Sequence, residues 1–224
     1  MKTKLVNPNW EHQIKFNDGS TSLLVIEDSD TFRNYITSLQ LQTNGEDGPF
    51  VLSNEKEMLP IKDRLSFVLN PLSVEIVDKK VQTKIITLLK NYMLNEGHYE
   101  TLATVLAQIE AFALDIEENF PFEIEHTEAD ASALIKMLGF SLKVDYQDEI
   151  EKLLEYTNVL HDICGIDHFV FVSLYDYFNQ QTIETFCRES NMNKHNILLI
   201  ERHNQREPME AQKILIDHDL CEIF

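Results

Sequence analysis

Two adjacent carboxylates at the end of a predicted strand are the residues in this sequence best placed to do chemistry. Residues 21–26 form an apolar run that is typical of a buried strand, Glu27 and Asp28 follow it directly, and a helix is expected from Ser29 or Asp30. In an open α/β sheet, ligands and metals usually bind at the carboxyl ends of the strands. Three interpretations are open: a phosphoacceptor receiver domain, a degenerate nucleotide-binding domain, or a protein that holds a hard cation for a structural purpose.

The motifs that would make this strand end an active site are missing from the sequence. A receiver domain would carry its phosphoacceptor aspartate after the apolar run 50–52, where this chain has Ser53 and Asn54. None of the six glycines lies in a GxxxxGK[ST] pattern, which a phosphate loop needs because its backbone N–H groups must approach the phosphates closely. A magnesium-dependent phosphotransferase or nucleotide-binding protein that uses Glu27 and Asp28 is kept as the alternative function.

A second acidic segment lies at residues 117–130, which contain six carboxylates. Calcium takes about six to eight oxygen ligands in flexible geometry, so carboxylates from a helix end, a strand and a helix start could converge on one ion. The segment has no EF-hand loop, and the alternative is solvated acid plus ordinary helix capping by Thr127 or Glu128. The spacing alone leaves both interpretations open.

His161, Cys164 and His168 place three possible zinc ligands within eight residues. A structural zinc site normally needs four ligands, and this sequence has no second paired cluster. The favoured interpretation is a buried cysteine with two surface or capping histidines. The three cysteines are odd in number, which fits reduced thiols better than a disulfide framework.

The composition describes an acidic globular protein of 224 residues with a formal charge of −19 and 43% hydrophobic residues. Such a charge argues on average against a nucleic-acid partner, because phosphate binding normally needs a surplus of Lys and Arg. An oligomer could still line one channel with its few lysines. The chain has neither a run that could span a bilayer nor an apolar signal core, so no membrane partner and a cytoplasmic location are expected.

Two long amphipathic helices are predicted in the middle of the chain. Asn70 and Pro71 begin the first, whose apolar residues recur every three or four positions until about Gly97. The second follows and is stopped at the Phe120-Pro121 pair. At about 1.5 Å per residue each would reach roughly 30 Å, longer than a crossover helix needs. We interpret residues 71–121 as a helical insertion, with an oversized crossover connection as the alternative.

The rest of the chain predicts an α/β body domain of residues 1–70 and 122–224. An amino-terminal hairpin is expected over residues 2–16, and the run 168–173 is apolar on both faces, as in a central parallel strand. Further strands are predicted at residues 50–52, 122–125, 141–144, 197–200 and 214–216. Their alternation with helices indicates an α/β fold with a mainly parallel sheet.

The order of these elements resembles one known family. The strand end Leu23–Asp28, the segment Leu134–Gly139, and the strand Phe169–Val172 before a helix and a second apolar strand are together similar to the CRISPR-associated adaptation protein of type II-A systems. This is the small member of the Csn class that is needed for acquiring spacers. The resemblance covers essentially the whole chain, including the helical insertion and the acidic segment.

The resemblance implies a function that composition alone would not suggest. Members of the family are similar to a degenerate P-loop-like, nucleotide-binding α/β domain without a working phosphate loop, and they carry a helical leg domain. They assemble as a calcium-stabilised homotetrameric ring that binds the ends of double-stranded DNA through its central hole. They are not enzymes, and they act with other adaptation proteins and the effector nuclease.

The resemblance also assigns site residues. The leading calcium ligands are Glu118, Glu123, Glu125 and Glu128, with Glu27 and Asp28 as second candidates. No catalytic residue is assigned. The candidates for contacting DNA phosphates are Lys56, Lys62, Arg64, Lys136 and Lys143. For each of these the alternative is an ordinary solvated surface charge.

Overall fold

The computed structural model describes residues 2–208 and 211–224 of the chain. The protein folds into two compact units. The first, here called the body unit, comprises Met1–Ile76 and Val144–Phe224, and the second, the helical unit, comprises Val77–Lys143.

A six-stranded sheet forms the centre of the body unit. In spatial order its strands are β10 (Glu222–Ile223), β9 (Gln212–Ile216), β3 (Ser20–Ile26), β8 (Asn196–Glu201), β7 (His168–Val172) and β6 (Leu65–Val68). The five strands from β9 to β6 are parallel, and β10 pairs antiparallel with β9 at one edge. Buried residues fill β3, β7 and β8, as expected where both faces of a parallel strand are covered.

A separate four-stranded sheet in the body unit is antiparallel throughout. Its spatial order is β2 (Ile14–Phe16), β1 (Thr3–Val6), β4 (Val51–Asn54) and β5 (Met58–Leu59). The predicted amino-terminal hairpin is confirmed as the β1–β2 pair. With one antiparallel sheet and one sheet that is parallel except at its edge, the protein has a mixed α/β fold.

One hydrophobic core joins the two sheets of the body unit. Leu5 and Phe16 contribute to it from the four-stranded sheet, and Ile26 and Ile216 from the six-stranded sheet. Trp10 packs at its margin in an edge-on contact with Tyr35 and Phe50. Burial of this apolar surface holds the antiparallel sheet against the sheet that carries the candidate site.

The helices of the body unit are α1 (Ser29–Thr43), α2 (Ile61–Arg64), α6 (Glu149–Cys164) and α7 (Gln180–Met192). The longer three begin at side-chain caps: Asp28, Asp148 and Asn179 each accept a hydrogen bond from a backbone N–H in the first turn. Such caps satisfy donors that the helix itself cannot pair. Short polar residues therefore determine where these helices begin, as much as apolar periodicity does.

The helical unit consists of α3 (Lys79–Met93), α4 (Glu96–Asn119) and α5 (Ala131–Leu138). A small core of Leu102, Ala131 and Leu134 holds α4 and α5 together. Because α5 packs within this unit, the unit extends beyond the predicted insertion 71–121. Within residues 2–208 and 211–224, every helix is too short or too polar to traverse a bilayer.

Two predicted strands are wrong. Residues 122–125 and 141–144 have no regular secondary structure. The short alternation of apolar and acidic residues at 122–125 suggested a strand, but Phe122 is 73% exposed and Ile124 is 39% exposed. A strand is stabilised by a neighbouring strand, and neither segment pairs with one in the described part of the chain.

Gly19, in the turn before β3, is expected to be the least replaceable glycine. Its φ angle is +76°, and a Cβ atom there would overlap the backbone carbonyl of Asn191. We expect Gly19→Ala to lower the free energy of unfolding by at least about 2 kcal/mol, measured by urea unfolding followed by circular dichroism. Gly97→Ala, at a helical position with open space around the new methyl group, is the control and should be neutral or slightly stabilising. Equal unfolding midpoints for the two variants would contradict this assignment.

Candidate functional site

The strand end that the sequence singled out is the carboxyl end of β3, between the parallel neighbours β8 and β9. The chain leaves the sheet at Glu27, whose backbone N–H donates to the Ile216 carbonyl over 2.9 Å. Asp28 then caps α1, because its Oδ1 accepts from the Thr31 N–H at 2.8 Å. This hydrogen bond is the main reason that the pKa of Asp28 is lowered. The Asp28 carboxylate therefore has a structural role at the start of the helix.

The neighbours of Glu27 are basic groups. Arg202 Nη2 donates to the Glu27 carbonyl oxygen over 3.4 Å, and the Arg202 guanidinium carbon lies 6.0 Å from the centre of the Phe32 ring. His218 Nε2 is 3.9 Å from Glu27 Oε2. Arg202 therefore contacts the backbone of Glu27, and His218 is the basic side chain near its carboxylate.

A buried carboxyl group at the same edge of the sheet was missed by the sequence analysis. Glu201 ends β8, is 2% exposed, and accepts from the Tyr175 N–H over 3.3 Å. Burial raises the pKa of Glu201 to about 7, and the negative charge of Asp176 adds to the shift. The signal was present, because the Leu-Leu-Ile-Glu sequence that ends β8 repeats the pattern of an apolar run followed by a carboxylate that ends β3.

The acidic segment after α4 is organised around a histidine. His126 Nδ1 lies 2.8 Å from Glu117 Oε1, and its Nε2 lies 2.9 Å from Glu110 Oε1. The backbone N–H of His126 also donates to Glu117 Oε1, over 2.7 Å. Carboxylates only accept hydrogen bonds, so this geometry favours a ring that carries a proton on both nitrogens. The hydrogen bonds from Glu117 and then Glu110 raise the pKa of His126 accordingly.

This arrangement ties residue 126 back to α4. Glu110 and Glu117 are seven residues apart, two helical turns on one face of α4. The sequence analysis did not single out Glu110 or His126, although the seven-residue spacing of the two glutamates was visible. The two carboxylates that contact the histidine are different from the predicted calcium ligands.

The predicted calcium ligands are not among the residues that form this contact. The four leading candidates are exposed: Glu118, Glu123, Glu125 and Glu128. Across the described ranges, no three His, Cys, Asp or Glu side chains are grouped closely enough to hold a metal ion. The assignment of these ligands stays a prediction.

His168 of the predicted His161, Cys164 and His168 cluster is a buried packing residue at the start of β7, so the prediction of a surface or capping histidine is wrong for this position. His168 is 2% exposed, its Nε2 lies 2.6 Å from Thr3 Oγ1, and its Nδ1 lies 3.2 Å from the Arg64 carbonyl oxygen. Burial lowers the pKa of His168 to about 4. A neutral ring can donate from Nδ1 to the carbonyl and accept from the threonine, so both nitrogens are used within the fold.

The predicted phosphate-binding residues are divided between the two units. Lys56, Lys62 and Arg64 belong to the body unit, and Lys136 and Lys143 belong to the helical unit. The lysines are exposed. Arg64 is partly engaged, because its Nη1 donates to the Gly165 carbonyl over 3.2 Å and lies 3.5 Å from Asp167 Oδ2.

A basic helix that the sequence analysis read only as amphipathic adds to these candidates. Helix α3 carries four lysines and no acidic residue. Lys79, Lys80 and Lys84 are exposed, and Lys90 Nζ lies 3.5 Å from Asp130 Oδ2. In a chain with a formal charge of −19, this concentration of positive charge is unusual. The signal that could have revealed it was the run of lysines without an intervening Asp or Glu.

Comparison with known proteins gives one family. The family model described as CRISPR-associated protein (Cas_Csn2) matches residues 42–220 of this chain. No curated protein matches. Among solved structures, a protein described as an ABC transporter ATP-binding protein from Pyrococcus furiosus has 6% identity and a TM-score of 0.41, with 95% of this chain and 97% of that chain covered. At that similarity the comparison carries no argument about function.

Glu201 should make the stability of the body unit depend on pH. At and below about pH 4 its carboxyl is largely protonated in both the folded and unfolded states. As the pH rises toward 7, the unfolded state loses this proton while the folded state keeps it, so stability falls. We expect Glu201→Gln to remove this loss. Between pH 5 and pH 8, the free energy of unfolding of the variant should rise by on the order of 3 kcal/mol relative to that of the native chain.

Urea unfolding at both pH values measures this difference, and Glu55→Gln, at an exposed glutamate, is the control. Only the change with pH tests the assignment, since the substitution can also shift stability equally at both pH values. A stability difference between Glu201→Gln and the native chain that stays constant from pH 5 to pH 8 would contradict the raised pKa.

Proposed function

Since this chain belongs to the Csn2 family of CRISPR-associated type II-A adaptation proteins, we propose that it is a non-enzymatic protein that binds double-stranded DNA. It forms a calcium-stabilised tetrameric ring on linear DNA ends during spacer acquisition, and it acts with other adaptation proteins and the effector nuclease in the cytoplasm. The observation that carries the proposal is the family match over residues 42–220.

The distribution of positive charge supports a DNA partner. Phosphate contacts from Lys and Arg supply most of the non-specific affinity of a protein for DNA. The exposed lysines of α3 provide such contacts without a competing carboxylate on the same helix. They join the candidates from the sequence, which are Lys56, Lys62, Arg64, Lys136 and Lys143.

Exposed apolar side chains in the helical unit support assembly into an oligomer. Phe112, Phe122 and Met137 are exposed by 67%, 73% and 69%. Large apolar residues at the surface often mark interaction sites, and a second copy of this chain is the partner that the tetramer requires. Burial of each side chain between copies would contribute roughly 1.5–3 kcal/mol.

Calcium fits this assembly as a bridge between chains. Calcium needs about six to eight oxygen ligands, and the exposed carboxylates of Glu118, Glu123, Glu125 and Glu128 are not gathered within one chain. In our proposal they meet oxygen ligands from another copy, so that metal binding and assembly are coupled. Glu27 and Asp28 are the second candidates for metal contact.

We assign no catalytic residue to the carboxyl end of β3. The body unit is proposed to be a degenerate P-loop-like domain, because the sequence has no GxxxxGK[ST] loop next to its central strand. The alternative phosphotransferase would need Glu27 and Asp28 for magnesium. It has less support, because Asp28 Oδ1 is occupied by capping α1.

Binding to DNA ends has a direct test. We expect the protein with calcium to bind a linear duplex in a mobility-shift assay and not the same sequence as a covalently closed circle. Cutting the circle once should restore binding. Equal affinity for closed and linear DNA would be evidence against recognition of ends.

The role of α3 can be tested in the same assay. Replacing Lys79 and Lys84 with Gln should weaken binding to linear DNA and reduce the slope of log affinity against log salt by roughly one for each lost phosphate contact. Lys4 and Lys15, which are exposed on the body unit, provide a matched double variant with the same charge change. If both double variants lose affinity equally, α3 has no special role.

The calcium proposal predicts a change in oligomeric state. Light scattering should show a tetramer with calcium and smaller species after chelation. Glu125→Gln combined with Glu128→Gln should shift the protein toward smaller species even with calcium. The control is Glu55→Gln with Glu57→Gln, which removes two exposed carboxylates from the body unit. A tetramer that persists in the first double variant would remove these two residues from the ligand set.

A further inference from the structure

A small pocket opens in the helical unit where α3, α4 and α5 meet. Its volume is about 170 Å³. Leu102 and Leu134 line the pocket and are 6% and 8% exposed, so they form its floor. Tyr92, His98 and Thr101 also line it and are exposed, so they surround its mouth. The pocket is therefore open to solvent above an apolar floor.

The volume and lining of the pocket limit what can occupy it. Small-molecule sites usually measure about 300–1,000 Å³, so this pocket is too small for a drug-sized ligand. In another protein, a cavity of about 150 Å³ lined by apolar side chains stays dry and binds benzene. Met93 and Val105 complete an apolar lining of the same kind here. The pocket therefore suits one benzene ring, which in a protein is the side chain of a phenylalanine.

Phe122 is an exposed phenylalanine with matching surroundings. Its side chain is 73% exposed, so it does not fill the pocket of its own chain, and it lies in a segment that is neither helix nor strand. The nearby Glu118 and Glu123 are exposed. The α3 side of the pocket has the opposite charge, because α3 carries four lysines and no acidic residue. Lys90 lies one turn before Met93 on the same helix face. This charge complementarity favours a second copy of the chain as the partner.

We propose that this pocket receives the Phe122 side chain of a second copy. The inference rests on the proposed assembly and deepens it, because it names one contact that holds two copies together. In a two-fold dimer the contact occurs twice, since each copy inserts its own Phe122 and receives the other. Insertion removes the ring and the apolar lining of the pocket from water. It also brings Glu123 and Glu125 beside a second copy, as the proposed calcium bridge requires.

Two variants of the full chain remove the contact from opposite sides. Phe122→Ala removes the ring, and Thr101→Phe fills the pocket from its exposed mouth. We expect each to raise the dissociation constant of the assembly with calcium by about tenfold or more, measured by sedimentation velocity over a concentration series. Phe224→Ala removes an equally exposed phenylalanine from the body unit, and Thr104→Phe changes an exposed position of α4 outside the lining. These two controls should change the constant by less than about twofold.

Mixing the two variants gives a result that a folding defect cannot imitate. Phe122→Ala keeps the pocket and Thr101→Phe keeps the ring, so a mixed pair regains one contact that neither variant can form with itself. The mixture should therefore sediment at a higher mass than either variant alone at the same total concentration. A mixture that gives only the average of the separate variants, or variants that assemble as tightly as the native chain, would overturn the contact and leave the proposed assembly intact. A native chain that stays monomeric with calcium would overturn both.

Discussion

The pairing of β3 with parallel neighbours on both sides is the constraint on which the body unit depends. β3 aligns Leu24 with Ile200 of β8 and with Ile214 of β9, so the carboxyl ends of three strands reach the same edge of the sheet. A shift of one residue would turn every side chain of β3 to the other face. Because β3 is buried almost throughout, that shift would move its core side chains out of register with both covering layers. The positions of Glu27 and Glu201 follow from this register.

Charge is the second constraint, and it acts differently in the two units. A formal charge of −19 creates repulsion that a compact protein must limit locally. The body unit does so at Glu201, because burial raises the pKa of that carboxyl group. In the helical unit, His126 lies between Glu110 and Glu117, and α3 separates its lysines from acidic residues along the chain. A divalent cation bound between carboxylates would relieve part of the remaining repulsion.

The sequence correctly predicted the structural elements that depend on local patterns of residues. The apolar run of β3 and the Phe120-Pro121 stop after α4 identified those elements, because burial and a proline act within a few residues. The strand at 122–125 was predicted wrongly because pairing depends on a neighbour that sequence patterns do not reveal. The burial of His168 became visible only in three dimensions, since its Nε2 lies 2.6 Å from Thr3 Oγ1, 165 positions away in the chain.

The carboxyl end of β3 lacks the motif with which nucleotide-binding α/β domains hold phosphates. Such domains use a glycine-rich loop that ends in a lysine, and no GxxxxGK[ST] motif follows β3 in this sequence. The strand end is instead used within the fold, because Asp28 caps α1 and the Glu27 carbonyl accepts a hydrogen bond from Arg202. Phosphate recognition, if the protein binds DNA, must instead depend on exposed cations such as those of α3. The contacts with DNA phosphates would then lie on a helix of the helical unit, and not at the sheet edge where a phosphate loop domain holds its phosphates.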